Sequence, residues 1–132
     1  MKLQFNKYYL VLAHSLFLME VAIAFIIKTG FIRYTFGDYL VVILLYAIIR
    51  GCTNLKVWVS ALVVLLIAYL IEMLQLVHFL TYFNLENNPT ANLILGSTFQ
   101  MGDLLAYTLG ILTVLIFEHY YANNKNTYSF KI

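Results

Sequence analysis

Four carboxylic acids are the residues with the clearest potential for chemistry, because they fall within or beside apolar segments of the chain. Glu72 lies in the otherwise uncharged run of residues 57–80, and Gln75 follows one helical turn later, where the two side chains could share hydrogen bonds. A carboxylate among hydrocarbon is costly, so it usually faces a bundle interior, finds a partner or stays protonated. We call the four acids the acid layer, which consists of Glu20, Asp38, Glu72 and Asp103.

The acid layer is defined by depth in a membrane. Counted at about 1.5 Å per residue, its members lie about 16 to 22 Å along their helices from the same interface. Ionised together they would repel, so at least one should be protonated, or a cation or basic side chain should enter the layer. Arg33 is the expected basic group, because its fork holds a carboxylate or a phosphate in a bidentate manner. The predicted ligand-binding residues are Arg33, Asp38, Glu72, Gln75, Asp103 and Glu20.

Composition assigns the chain to a membrane, since 63% of its 132 residues are hydrophobic and only 11% are charged. We predict an all-α, polytopic membrane protein with four transmembrane helices in one bundle, which forms a single domain of residues 1–132. The predicted helices are residues 8–27, 36–49, 57–80 and 104–121, and residues 81–101 form an outer loop. The second and fourth helices are short, so they must draw leading polar residues into the membrane or thin it locally.

Orientation follows from lysine and arginine, which are retained on the cytoplasmic side of short loops. With both termini cytoplasmic, six basic residues face the cytoplasm and two face outward. The six are Lys2, Lys7, Arg50, Lys56, Lys125 and Lys131, and the two are Lys28 and Arg33. The acid layer then lies in the outer half of a hydrocarbon core about 30 Å thick. Because the basic residues are scattered, nucleic acid is not an expected partner.

Less specific roles compete with a binding site. Asp38 and Asp103 each follow a glycine at the predicted start of a helix, where a carboxylate can cap free amide groups. Glu20 could lie near the interface if its helix shifts along the membrane normal. The three histidines lack the spacing of a metal ligand set, so neither a metal nor another cofactor is expected. Motifs of soluble enzymes are absent, which favours a non-enzymatic protein.

Two further patterns lie on the outer side of the predicted bundle. The loop of residues 81–101 contains the turn signal Asn-Asn-Pro at 87–89, and residues 93–96 either cover the acid layer as a lid or rest on headgroups. Residues 35–40 resemble residues 98–105, and both stretches begin on the outer side. This echo fits a parallel pseudo-repeat of two-helix units, although shared capping chemistry could also produce it.

Several short motifs resemble a known family. They are Arg33-Tyr34, Gly37-Asp38-Tyr39, Glu72-Met73-Leu74-Gln75, Leu-Gly-Ser-Thr-Phe at 95–99 and Gly-Asp-Leu-Leu-Ala-Tyr-Thr-Leu-Gly at 102–110. Over nearly the whole chain this pattern is similar to small bacterial membrane proteins catalogued as domain of unknown function 2809, which implies a multi-pass protein of the bacterial plasma membrane. More distantly it resembles VanZ-like proteins, whose founding member is associated with glycopeptide resistance. The arginine that this second family places between the glutamine and the aspartate has no counterpart in residues 76–102.

Three classes of function remain open. The preferred one is an envelope protein that binds membrane lipids or a lipid-linked cell-wall precursor, with Arg33 at a phosphate and the acids at a sugar or amine. The second is a small proton- or cation-coupled transporter, which would act as a homodimer because four short helices enclose little volume. The third is an intramembrane enzyme that uses Glu72 and Asp103 as acid and base.

Overall fold

The computed structural model describes residues 2–96 and 98–129, which are all-α with a single isolated β-bridge between Leu3 and Thr53. Ser97 of the family motif and Lys131 of the predicted cytoplasmic set lie outside the described residues. Four helices are long and apolar enough to cross a membrane, which confirms the predicted fold class. The helices are α1 (Lys7–Ile26), α2 (Gly37–Cys52), α3 (Val57–Leu76), α4 (Phe79–Tyr82), α5 (Pro89–Leu95) and α6 (Met101–Ser129).

The second predicted helix is longer than predicted at both ends, which gives it spanning length. A π-helical turn, Ile32–Phe36, runs directly into α2, so the apolar span extends over Arg33–Cys52 and has 20 residues. Arg33 and Asp38 therefore lie within this candidate span, so polar residues extend the short apolar stretch at its start. Single π-turns inside helices are rare and occur frequently at functional sites.

The other helix ends differ from the prediction for local reasons. Helix α3 ends at Leu76 rather than at residue 80, because His78 adopts a left-handed conformation with φ of 52° and redirects the chain into α4. Helix α6 begins at Met101 and continues to Ser129, past the predicted end at residue 121. Hydropathy marks only the apolar part of a helix, whereas backbone hydrogen bonding continues into the polar residues that follow.

Helix α2 is the centre of the packing, because it contacts α1, α3 and α6, and α3 also packs against α6. The core between α2, α3 and α6 includes Val42, Val64 and Ile111, all at least 95% buried. Gly110 brings α6 close to α2, since a Cβ at this position would lie 2.7 Å from the Tyr39 carbonyl oxygen. Small residues at such contacts are typical of membrane bundles, where close backbone approach replaces the hydrophobic effect.

A network that we call the Arg50 cluster joins the helices at the end of the bundle where α1 begins. It consists of Tyr9, Tyr46, Arg50 and Glu118. Both tyrosine hydroxyls donate to Glu118 Oε1, and Arg50 Nε lies 3.8 Å from the same oxygen. Arg50 also stands over the Tyr9 ring at 5.2 Å and donates to the Leu55 carbonyl oxygen. Nothing in the sequence interpretation singled out this network.

Candidate functional site

A cavity of about 640 Å³ lies at the opposite end of the bundle, between α1, α2, α3, α5 and α6. Three members of the acid layer line it, namely Glu20, Asp38 and Asp103. Arg33 and Gln75 also contribute to its wall. The fold therefore brings five of the six predicted site residues to one cavity.

Asp38 and Asp103 meet across the contact between α2 and α6. Each lies in the first turn of its helix, both helices begin at this end, and the two carboxyl groups are close enough to share a hydrogen bond. Capping does not account for Asp38, because α2 continues the π-turn and the Gly37 amide already donates to the Tyr34 carbonyl oxygen. Both carboxyls line the cavity instead.

Arg33 and Glu20 also line the cavity. In the part of the chain that the structure describes, the Arg33 guanidinium forms no ion pair within 4.0 Å and no side-chain hydrogen bond. Glu20 Oε1 is buried and has no hydrogen-bond partner there either, while its Oε2 lies 3.7 Å from where a Cβ on Gly37 would be. These two side chains therefore keep hydrogen-bonding capacity for a ligand.

Glu72, the residue that the sequence made most prominent, lies behind the cavity wall. It is 0% exposed and accepts hydrogen bonds from the Gln100 amide at 2.9 Å and from the Tyr107 hydroxyl at 3.5 Å. Glu72 thus ties α3 to the start of α6 and holds Tyr107, which does line the cavity. Sequence reasoning missed Tyr107 and Gln100. The signal for Tyr107 was its position four residues after Asp103, on the same helical face.

Gln75 forms its hydrogen bond with the outer loop and not with Glu72. Its Nε2 donates to the Leu95 carbonyl oxygen at the end of α5, and its side chain leaves no room beside Gly96, where an added Cβ would lie 2.6 Å from Nε2. The predicted hydrogen bond between Glu72 and Gln75 is replaced by these separate partners. The outer loop accordingly contributes Pro89, Asn92, Leu95 and Gly96 to the cavity wall. Asn88 caps α5 with its side chain, in agreement with the predicted turn.

The cavity changes character along its length. Its polar part contains the three acids and Arg33, and exposed residues at its edge include Tyr34 and Thr98. Its apolar part continues between α2 and α3, where it is lined by Val41, Leu45, Ala68 and Ile71. Leu45 is seven residues beyond Asp38, which corresponds to about 10 Å along a helix. The result is an amphipathic cavity with polar and apolar ends.

Among residues 2–96 and 98–129, no group of three or more His, Cys, Asp or Glu side chains could hold a metal ion. The cavity offers instead three carboxyl groups, one guanidinium and the side chain of Gln75. Carboxylates accept hydrogen bonds from cationic groups, and a guanidinium binds phosphate in a bidentate manner. The polar part is therefore suited to a ligand that carries both kinds of charge.

Comparison with known proteins gave one match. The family model described as a protein of unknown function (DUF2809) matches residues 27–111, which is more than half of the chain. The matched segment includes Arg33, Asp38, Gln75 and Asp103, whereas Glu20 precedes it. No curated protein and no solved structure matches.

Proposed function

The chain belongs to the DUF2809 family of proteins of unknown function, and we propose that it binds a phosphate-bearing envelope lipid, or a lipid-linked cell-wall precursor, in the amphipathic cavity. We propose further that the protein resides in a bacterial plasma membrane with both termini in the cytoplasm. The cavity then opens toward the outer leaflet, where such ligands are available.

The observation that carries this proposal is the continuity of the polar and apolar parts of the cavity. A soluble solute would need only the polar part, whereas a lipid needs a charged pocket followed by an apolar groove. The groove between α2 and α3 extends about 10 Å along α2 from Asp38 to Leu45. This length accommodates part of an acyl or prenyl chain. Apolar walls with a few converging polar groups are typical of ligand sites.

Arg33 is the expected phosphate ligand. It lies at cavity level on the π-helical turn, and the described carboxylates leave it without a direct ion pair. Its planar fork matches two phosphate oxygens, so a bound phosphate would satisfy donors that the protein leaves open.

Native mass spectrometry of protein extracted gently from its own membrane tests the proposal. We expect wild type to retain a phosphate-containing lipid and Arg33→Ala to lose it at least about tenfold, which corresponds to about 1.4 kcal/mol of binding free energy. Lys28→Ala is the matched control, because Lys28 is an exposed basic residue at the same end that does not line the cavity. Retention of the same lipids by all three proteins contradicts the proposal.

Obstruction of the groove provides an independent test. Val41→Phe adds a ring to the apolar wall, and we expect it to reduce lipid retention while Arg33 stays in place. Val59→Phe is the control, since Val59 is 43% exposed on the outer surface of α3. If Val41→Phe retains lipid as well as Val59→Phe does, the groove does not hold the chain.

A second candidate, proton- or cation-coupled transport, is favoured by the contact between Asp38 and Asp103, because paired acids in membranes commonly relay protons. In the described bundle, Val42, Val64 and Ile111 separate the cavity from the Arg50 cluster. Transport would require these residues to part. Proteoliposome uptake that depends on a pH gradient and is abolished in Asp38→Asn would support transport. Equal uptake by wild type and Asp38→Asn would exclude a proton-relay role for Asp38 and Asp103.

A further inference from the structure

The charged groups that line the cavity are mostly acidic. Three carboxyl groups and one guanidinium, that of Arg33, line the cavity, and Arg33 forms no ion pair within 4.0 Å with the three acids. Asp38 and Asp103 face each other instead, and in the described chain no basic side chain approaches either of them within 4.0 Å. The charge of Arg33 therefore acts on Glu20 without an ion pair, and no described basic side chain acts on the aspartate pair.

Asp103 is the more informative member of this pair. Only 9% of its surface is exposed, it lines the cavity, and the Asp38 carboxyl is the one described group that can donate a hydrogen bond to the Asp103 carboxyl. Tyr107, the nearest hydroxyl on the same face, donates to Glu72 and is thus already engaged. A nine-tenths buried carboxyl whose hydrogen-bond partner is another acid carries an energetic cost, because no positive charge offsets the pair, and a bound cation reduces this cost.

Three kinds of ligand group could approach the aspartate pair, and they differ in charge and in N–H or O–H donors. A primary ammonium has three N–H donors and a positive charge, so it can bond both aspartates at once. A trimethylammonium has no N–H donor and is typically bound by a cage of aromatic rings, whereas the described part of the cavity wall contains two, Tyr34 and Tyr107. A sugar hydroxyl can donate but brings no charge to offset the two acids.

The position of the pair relative to Arg33 limits the ligand further. Arg33 and Asp38 are five residues apart, and the intervening π-turn places such residues about one turn apart along the helix. A phosphate at Arg33 and an ammonium at Asp38 therefore belong to one compact headgroup. The apolar groove begins on the same helix, at Val41.

We infer that the ligand is an aminophospholipid, or a precursor with the same headgroup, whose primary ammonium lies between Asp38 and Asp103 and whose phosphate binds Arg33. This inference rests on the proposed function, to which it adds the headgroup. It assigns selectivity to the aspartate pair and general affinity to Arg33 and the groove.

Lipid competition tests the inference. The full chain is reconstituted in nanodiscs with equal amounts of phosphatidylethanolamine, phosphatidylcholine and phosphatidylglycerol of identical acyl chains, and the lipids retained after release are counted by native mass spectrometry. We expect wild type to prefer phosphatidylethanolamine by about tenfold over either competitor. Asp103→Asn and Asp38→Asn should each lose this preference but still retain phospholipid, whereas Arg33→Ala should retain little of any kind.

Glu86→Gln is the matched control, because Glu86 is an exposed acid of the outer loop that does not line this cavity. It should keep the wild-type preference. Equal retention of all three lipids by wild type would overturn the inference and leave the proposed function standing. Retention of none would remove both. If one aspartate variant does not fold, the other still decides the outcome, since each contributes one carboxyl to the pair.

Discussion

The two polar regions of this bundle differ in how their charged side chains are partnered. In the Arg50 cluster a single carboxylate, Glu118, receives two tyrosine hydroxyls and lies near one guanidinium, so its charge is neutralised by the protein. At the other end, three carboxyls of the acid layer and Arg33 line an open cavity, and the most buried carboxyl, Asp103, has another acid, Asp38, as its hydrogen-bond partner.

This difference separates a structural role from a binding role. A partly buried ion pair whose carboxylate accepts two hydrogen bonds fixes helix positions, and its loss leaves an uncompensated charge. Charges without partners do not help a bundle to fold, so their presence beside a cavity indicates a use that requires a ligand. The contrast predicts opposite responses when a charge is removed from each region.

The largest expected effect is in the Arg50 cluster. Glu118→Ala removes the common acceptor of Tyr9 and Tyr46 and leaves Arg50, whose side chain is 21% exposed, without its carboxylate. We expect the free energy of unfolding to fall by about 2–4 kcal/mol. Unfolding in a denaturing detergent series measures the loss. Glu118→Gln keeps one oxygen acceptor and should lose less, and lipid retention by the folded fraction should not change.

The next effect concerns the contact that brings the aspartates together. Gly110→Ala places a Cβ against Val42 and 2.7 Å from the Tyr39 carbonyl oxygen, so α2 and α6 must separate. We expect a loss of about 1–3 kcal/mol. Gly102→Ala is the control on the same helix, because its Cβ would meet nothing within 4 Å. Equal unfolding midpoints for the two variants would show that α6 is not held closely to α2 at this point.

The membrane class and the number of spanning helices could be predicted because apolar length is a direct requirement of the bilayer. Three of the four acids grouped on depth, Glu20, Asp38 and Asp103, line one cavity in the fold, and so do Arg33 and Gln75, which were chosen for their positions near Asp38 and Glu72. Depth fixes the height of a residue and leaves its direction open. That is why Glu72 was expected in the site and lies behind its wall instead.

The Arg50 cluster could not be predicted for a related reason. Tyr9, Arg50 and Glu118 lie near the ends of different helices, where polar residues are ordinary and carry little signal. Their convergence depends on the order in which the helices pack. The same holds for Gln75, whose partner, the Leu95 carbonyl oxygen, is a backbone atom and leaves no mark in the sequence.

The outer loop provides a smaller test, confined to the acid layer. Gly96 adopts φ of +69°, and a Cβ there would lie 2.6 Å from Gln75 Nε2, so Gly96→Ala should detach the end of α5 at a cost of about 1–2 kcal/mol. Hydrogen exchange should rise in residues 89–95 and stay unchanged around Arg50. Unaltered exchange in α5 would mean that the bond between Gln75 and Leu95 does not hold this wall of the cavity.

The smallest expected change in stability is also the most informative. The substitutions above should lower the free energy of unfolding, whereas this one should leave it unchanged or raise it. Asp38→Asn replaces one of two facing carboxyls with a neutral amide that can still donate a hydrogen bond to Asp103, so the free energy of unfolding should stay unchanged or rise by up to about 1 kcal/mol. The preference for phosphatidylethanolamine should disappear in the same protein. Stability and binding would then respond oppositely at this position, as expected where a protein keeps an unfavourable charge for a ligand. A loss as large as that of Glu118→Ala would instead place Asp38 among the residues that hold the bundle together.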